Sequence, residues 1–379
     1  LENRMRLTLD VLQAVRDAVG PNMIVGLRMT GDELIEGGLS ADDCVHAARI
    51  LADKGAVDLL NVMAGAPYDD LGLAGWVSPM GMPSAPHLPI AGRIRQATGL
   101  PVLHAGGRSD LATARHALNN GHVDLVGMTR AHIADPHLVA KLERGEEDFV
   151  RPCVGLGLCV DRVNQGKPAV CGHNAATGQE AVLPHVVSSA DKVCKVVVVG
   201  GGPAGLEAAR VAALRGHQVV LFEASDRLGG QLRLAAQGRI RRNVQGVADW
   251  LIFEVERLGV EIRLNSYVEA DEVLGEGPDV VIIATGGWPA STGVTGEELT
   301  VSARDVLSGS VRPRGHVLLL DEVGDHPTAV TVDVLAEMGC SVELVTPDRM
   351  ALHDLGPVSR SELSASVVVS TYESPGFLE

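Results

Sequence analysis

Three cysteines, Cys153, Cys159 and Cys171, lie in a glycine-rich stretch with five and eleven residues between successive members. Thiolates so spaced can hold an iron–sulfur cluster. They can equally hold zinc or be buried thiols, and spacing alone does not choose among the three. Cys44, Cys194 and Cys340 fall in helix or strand patterns and read as small core residues.

A second group has phosphate chemistry. Gly200-Gly201-Gly202-Pro203-Ala204-Gly205 follows an apolar β-branched run and opens a helical one, with Glu223 closing the next strand. Gly200 permits a tight turn, Gly202 lets the backbone approach a pyrophosphate, and Gly205 allows close helix–strand packing. The helix start offers N–H groups and partial positive charge to the phosphates. Glu223 can accept hydrogen bonds from an adenosine ribose, and its charge disfavours a 2′-phosphate. Arg227-Leu228-Gly229-Gly230-Gln231 resembles the second glycine pair of two-dinucleotide flavoproteins, which adds Arg227 and Gly230 to the candidate contacts. Ala284-Thr285-Gly286 resembles their later strand-end signature. Both favour a flavin or an ADP moiety over free NAD.

The third group ends strand candidates in the first segment: Arg28, then His104-Ala105-Gly106-Gly107-Arg108, then Gly127-Met128-Thr129-Arg130. In βα folds the C-terminal strand ends form the active face. Amides near Gly106 and Gly107, with Arg130, can clamp a phosphate. Arg28 can set positive charge beside the N1/O2 edge of a reduced flavin.

These groups need a scaffold, and the apolar pattern supplies one. Short apolar runs at 23–29, 57–63, 101–105 and 123–128 read as parallel strands buried on both faces. Helices are expected between and after them, at 41–54, 89–98, 110–119 and 136–143. This alternation allows a doubly wound sheet or a (β/α)8 barrel. Four strands cannot close a barrel, and the chain opens at Leu1 inside an amphipathic helix marked by Met5, Leu9, Leu12, Val15 and Val19. The expectation is therefore a fragment whose other barrel strands lie upstream. Residues 151–183 lose the strand pattern and read as a site-bearing insertion, and 188–192 as a polar link. Strands follow at 193–199, 218–222 and 280–284, then a βαβ unit at 317–320, 329–338 and 342–345. No element is expected from Ser359 onward.

Composition narrows the function. The chain has 379 residues, 46% hydrophobic and 21% charged, enough for two or three domains with real cores. A formal charge of -16 disfavours nucleic acid or an anionic membrane surface as partner, and 3% aromatics leave little for base stacking. No apolar run has the roughly 18 residues of a membrane helix. Six cysteines are too few for a disulfide scaffold, so a reducing, cytoplasmic setting is expected.

Taken in order, Leu1-Glu2-Asn3-Arg4, Arg28, Gly127-Met128-Thr129-Arg130 with Ala134-Asp135-Pro136, and Arg151-Pro152-Cys153-Val154-Gly155 resemble the old-yellow-enzyme-related NADH:flavin oxidoreductases. The cysteine stretch and the glycine turn resemble their long branch, that of trimethylamine dehydrogenase and 2,4-dienoyl-CoA reductase. Met80-Gly81-Met82-Pro83-Ser84-Ala85-Pro86-His87 and His173-Asn174-Ala175-Ala176-Thr177-Gly178 are most similar to demethylases of N-methylated amino acids.

The resemblance implies an α/β chain: the C-terminal half of a (β/α)8 FMN barrel (1–150), an Fe–S loop (151–187) and a Rossmann-like FAD/ADP domain (188–310). A partial second dinucleotide-type domain (311–357) and a divergent tail (358–379) would follow. Arg28 would contact the isoalloxazine; Gly106, Gly107, Thr129 and Arg130 would surround the FMN phosphate. Gly200, Gly202, Gly205, Glu223, Arg227 and Gly230 would hold FAD or ADP, and Cys153, Cys159 and Cys171 a [4Fe–4S] cluster. The family's cluster loop has another cysteine where this chain has Leu156, which leaves a three-cysteine cluster with an open corner, a [3Fe–4S] form, or His173 as fourth ligand.

The implied activity is oxidative demethylation or dehydrogenation of an N-methylated amine or amino acid, with catalytic residues upstream, so that the chain alone is expected to be inactive. The alternatives are an NAD(P)H-dependent 2-enoate or 2,4-dienoyl-CoA reductase and a non-enzymatic, nucleotide-binding electron-transfer remnant. Expected partners are a small-molecule substrate and an electron-transfer protein or NAD(P)H, with homo-oligomer assembly left open.

Overall fold

The computed structural model describes residues 1–68, 70–107, 110–360 and 368–371. Its contacts divide the chain into one unit built on Leu1–Asp135 with the short helix Pro357–Arg360, and another built on Pro136–Gly356.

In the first unit, β1 (Gly26–Thr30), β2 (Leu59–Met63), β3 (Val102–His104) and β4 (Leu125–Val126) form one parallel sheet in sequence order. The helices Ala41–Asp53, Leu88–Thr98 and Leu111–Asn119 connect successive strands. Side chains alternate across a strand. Leu60, Val62 and Val102 therefore bury completely against Leu51, Ala91 and Ile94 of the helices. Arg28, in register with Asn61 and through it with Leu103, lies on the opposite face. Local chemistry fixes where helices begin: Ser40 and Asp43 form a reciprocal capping box, and Asp110 accepts the Thr113 N–H. Two elements were not expected, Asp70–Val77 and Thr129–Ala134.

Cys44 is 1% exposed in this core. Burial first, and then the carboxylates of Asp32, Glu33 and Asp43, push its thiol up to about 11. At about pH 8 a thiol reagent should leave Cys44 unmodified until the unit unfolds. Prompt labelling of Cys44 in the native protein, read by mass spectrometry, would contradict this.

In the second unit, β5 (Lys195–Val199), β6 (Gln218–Phe222), β7 (Glu261–Arg263) and β8 (Val280–Ile283) pair in parallel in the order β7-β6-β5-β8. Strand order reverses at β5, and such a switch point opens a crevice beyond the strand ends. Val196, Val198 and Leu221 pack with Leu206, Ala209, Trp250, Leu251 and Val255 of the helices Pro203–Leu214 and Gln245–Arg257. A further parallel sheet, β11-β10-β9, joins β9 (His316–Leu320), β10 (Ser341–Thr346) and β11 (Val368–Thr371). β11 was not expected, since nothing in its serine- and valine-rich surroundings announces a strand. The rest of the tail lies outside the described residues.

The cysteine segment is more than an appended loop. Val154 joins the core of the β5–β8 sheet, Leu156 packs against it, and Leu158–Asn164 is helical.

Candidate functional site

Arg130 sits in the first turn of the helix Thr129–Ala134, just past β4. Its Nη2 donates to the carbonyls of Val77 and Ser78 at 2.7 and 3.0 Å. Its Nη1 is buried without a hydrogen-bond partner among the described residues. Half of a partly buried guanidinium is therefore anchored and half, the buried Nη1, is unspent, which is costly unless an anion completes it.

Ser78 stands beside it, 5% exposed, with a left-handed φ of 54° and a buried Oγ that also lacks a described partner. Gly107 reaches the same place. With φ of 61°, a Cβ there would lie 2.7 Å from Pro86 Cδ and 3.1 Å from Ser78 Oγ. A Cβ at Gly106 would lie 2.8 Å from the ring of the fully buried His104. Arg130 and Gly107 thus converge on Ser78, while Thr129 is exposed one residue away. Arg108 and Ser109 lie outside the described residues.

Arg28 belongs to a second cluster. Its Nε and the Trp76 indole N–H both donate to the Met63 sulfur, at 2.9 and 2.8 Å, and the guanidinium lies 5.4 Å from the Trp76 ring centroid. Trp76 and Val77-Ser78 are neighbours in sequence, so the helix Asp70–Val77 and its exit position partners for both arginines. Of Asp69, Asp70 and Trp76, the three residues that follow the second predicted strand, only the Trp76 side chain is described.

In the second unit the glycine turn has the expected shape. Gly200 has φ of 107°, and a Cβ on it would strike the Ala284 carbonyl; one on Gly205 would strike the Gly200 carbonyl. Gly202 is different, because its Cβ would meet only Gly230 Cα, at 3.9 Å. The two glycine turns are tied together by Gly229 N–H donating to Gly201 O at 2.9 Å, and Gln231 Nε2 donates to Gly287 O at 2.9 Å. The ends of β5, β6 and β8 therefore meet around Gly202 and Gly230.

Glu223 accepts the Gly201 N–H at 2.7 Å and the Ser225 N–H and hydroxyl at 2.8 and 2.7 Å. Its first task is to fix the turn, and a ribose would share an already hydrogen-bonded carboxylate. Arg227 stands apart, exposed and paired with its neighbour Asp226 at 3.0 Å.

No cysteine of the chain is in a disulfide. Cys159 is carried on the helix Leu158–Asn164, and the Cys171 sulfur accepts the His173 N–H at 3.4 Å. His173 is 8% exposed, its Nδ1 lies 3.0 Å from Pro152 O, and its Nε2 has no described partner. Burial pushes its pKa down to about 4. Trp250 lies edge-on at 5.0 Å, with Arg151 and Arg210 over its ring at 4.7 and 5.4 Å. Among the described residues no three His, Cys, Asp or Glu side chains gather closely enough to hold a single metal ion.

In the turn after β9, Asp321 is 2% exposed. Its Oδ1 accepts the Val323 and Gly324 N–H groups at 3.1 and 2.9 Å and the Thr328 hydroxyl at 2.6 Å.

Comparison with known proteins gives this geometry a context. Residues 1–148 match the NADH:flavin oxidoreductase / NADH oxidase family, and residues 195–256 match the FAD dependent oxidoreductases. Within this flavoprotein context the chain is 48% identical over 350 residues to the probable N-methylproline demethylase of Rhizobium meliloti (strain 1021), covering 92% of this chain and 52% of that protein. It is 43% identical over 357 residues to the N,N-dimethylglycine/sarcosine dehydrogenase of Chromohalobacter salexigens, covering 92% and 51%. The structure of a 2-naphthoyl-CoA reductase in complex with 2-naphthoyl-CoA superposes with a TM-score of 0.89 at 26% identity, covering 98% of this chain and 57% of that one. The chain spans about half the length of the curated relatives it matches. As the resemblance implied, the family matches indicate a flavin-dependent oxidoreductase, and several relatives are named for N-methyl substrates. No described helix is long and apolar enough to cross a membrane.

Sequence reasoning missed Ser78, Met63 and the pairing of Trp76 with Arg28. A serine at positive φ carries no sequence mark, and these contacts span 13 to 53 residues.

Proposed function

We propose that this chain is part of a flavin-dependent oxidoreductase that oxidises an N-methylated amine or amino acid. The observation that carries the reading is the half-used Arg130 guanidinium, with its buried Nη1, at Ser78, which Gly107 also approaches. Donors of this kind fit a flavin phosphate, and Gly107 keeps the space that any side chain would fill. Gly106 and Thr129 complete the phosphate's surroundings in this reading. The names of two relatives, at 48% and 43% identity, supply the substrate class.

Bound FMN would accept the hydride equivalent of the N-methyl C–H, leaving an iminium that water hydrolyses to formaldehyde and the demethylated amine. Arg28, held by Met63 and Trp76, sets a fixed cation on the face of the sheet opposite the helices, where it would favour negative charge on a bound, reduced flavin ring. Gly202 and Gly230 form the floor on which the pyrophosphate of FAD or ADP would rest in a Rossmann-like domain. Gly200 and Gly205 shape that floor, Glu223 fixes it and receives the ribose, and Arg227 is left in solvent. Cys153, Cys159 and Cys171 would supply three thiolate donors to an iron–sulfur cluster, which would carry electrons one at a time.

For a protein carrying this chain, N-methylproline, dimethylglycine or sarcosine should bleach the flavin absorbance under anaerobic conditions, with formaldehyde as product. Bound flavin that stays oxidised across that panel rejects the substrate class. The match to a naphthoyl-CoA reductase supports a second reading, an enoyl-thioester reductase. Rapid bleaching by NAD(P)H with thioester turnover would favour it.

A further inference from the structure

We infer that the β9–β11 sheet takes no dinucleotide, because its own chain fills the place where one would lie. A nicotinamide nucleotide that reduced this protein would then have to meet a flavin without docking on this sheet. The inference concerns the electron donor and is independent of the phosphate reading of Arg130. The second unit contains the same parallel βαβ arrangement twice: β5 to β6 through the helix Pro203–Leu214, and β9 to β10 through the helix His326–Glu337. A dinucleotide in such a fold lays its pyrophosphate on the turn after the first strand, and a ribose on a carboxylate after the second. It needs free amides, free space and a free carboxylate.

At β5 the space is open, since a Cβ on Gly202 would meet only Gly230 Cα at 3.9 Å. At β9 all three provisions are spent. The Val323 and Gly324 N–H groups donate to Asp321 Oδ1, and at the helix start Asp325 Oδ1 accepts the His326 N–H at 2.6 Å. The space over Gly324 is taken by His353: a Cβ there would strike the imidazole ring and lie 3.3 Å from the His353 backbone nitrogen. The Asp354 N–H donates to the Gly324 carbonyl at 3.0 Å, which ties the segment after β10 to the turn after β9. Asp348, two residues past β10, is the carboxylate in the ribose position. It accepts the Thr346 hydroxyl at 3.3 Å and lies 2.7 Å from His353 Nδ1.

The covering segment is part of the fold. Leu352, 1% exposed and held at φ of 55°, and Leu355, 2% exposed, pack on Ala329 in the first turn of the helix. A leucine in the left-handed region persists only where its surroundings over-determine it. Asp321, Asp348 and Asp354 also gather negative charge at the spot where a pyrophosphate would bring more. The resemblance implied a second dinucleotide-type domain at 311–357, and the turn of that domain does not fit a dinucleotide.

Hydrogen exchange of the full chain, read by mass spectrometry, tests this. Without nucleotide, the amides across 321–328 should already exchange slowly, and saturating NADH or NADPH should leave them unchanged, whereas ADP should slow exchange across 200–206. D321A removes a charged acceptor and should speed exchange across 321–328 on the order of 10- to 100-fold, with D321N, which keeps an acceptor oxygen, in between. Exchange across 321–328 that slows saturably with NADH or NADPH overturns the inference. So does fast exchange there in the nucleotide-free chain, or a D321A protein that exchanges like wild type. If ADP leaves 200–206 unchanged, the dinucleotide reading of the β5 turn fails, and the NADH and NADPH arms still decide the β9 turn.

Discussion

Replacing Gly205 with alanine is expected to destabilise the second unit strongly, whereas replacing Gly202 with alanine should spare the fold and weaken nucleotide binding. At Gly205 the new methyl would overlap the Gly200 carbonyl and sit 3.3 Å from Ala284 Cβ. Backbone cannot swing aside as a side-chain tip can, so the cost is at the upper end of overpacking, about 3 kcal/mol or more. For a unit of this size that lowers Tm by about 6–12 °C. At Gly202 the methyl would meet only Gly230 Cα at 3.9 Å, and φ of -76° is open to any residue. Stability should stay within about 0.5 kcal/mol. The methyl would occupy the approach of the pyrophosphate, at a cost of about 1–3 kcal/mol, on the order of 10- to 100-fold in affinity for FAD or ADP. Thermal melts and nucleotide titrations of the two variants read both halves. An unaltered FAD and ADP affinity in G202A would show that the pyrophosphate does not pass Gly202.

Arg130→Met should cost the protein its FMN. The variant removes the unspent Nη1 and also strips the Val77 and Ser78 carbonyls of their donor. Truncating one partner of a buried charged pair typically costs about 2–5 kcal/mol, so FMN affinity should fall by ~100-fold or more. Arg130→Lys keeps the charge but cannot reach two carbonyls and a phosphate at once, and should fall between. Flavin fluorescence on ultrafiltration gives the dissociation constants. If R130M retains FMN with the wild-type constant, the phosphate is held elsewhere.

What the sequence made legible follows from what each element needs. β5 and β6 are runs of Val, Leu and Phe flanked by turn residues, and burial on both faces requires such runs. The Gly200–Gly205 turn was readable because its steric demands admit little but glycine at Gly200 and Gly205. The helix Asp70–Val77 was not readable: its sequence, DLGLAGWV, is small and apolar all round and has no 3.6-residue stripe. With it went Ser78 and the sulfur-centred contacts of Arg28. Arg227, which its motif context placed among the cofactor contacts, shows how little a motif says about a long side chain. Its long side chain faces solvent beside Asp226, and the glycines that follow it are what the fold brings to Gly202.

The turn after β9 carries its own anion. Asp321 is joined to the same backbone whose amides it satisfies, and tethering of this kind gives an effective concentration on the order of millimolar or higher. Free phosphate competes poorly against such an occupant, so that bend keeps its shape whatever the nucleotide supply. The bend after β5 is held instead by a carboxylate from the end of the next strand, Glu223 on the Gly201 N–H at 2.7 Å. In the proposed reading, FAD or ADP at a hundredfold excess over Kd would add about 2.7 kcal/mol to it by mass action. On that reading, scarcity of adenine nucleotide would take this support from the β5–β8 sheet and leave the turn after β9 unchanged.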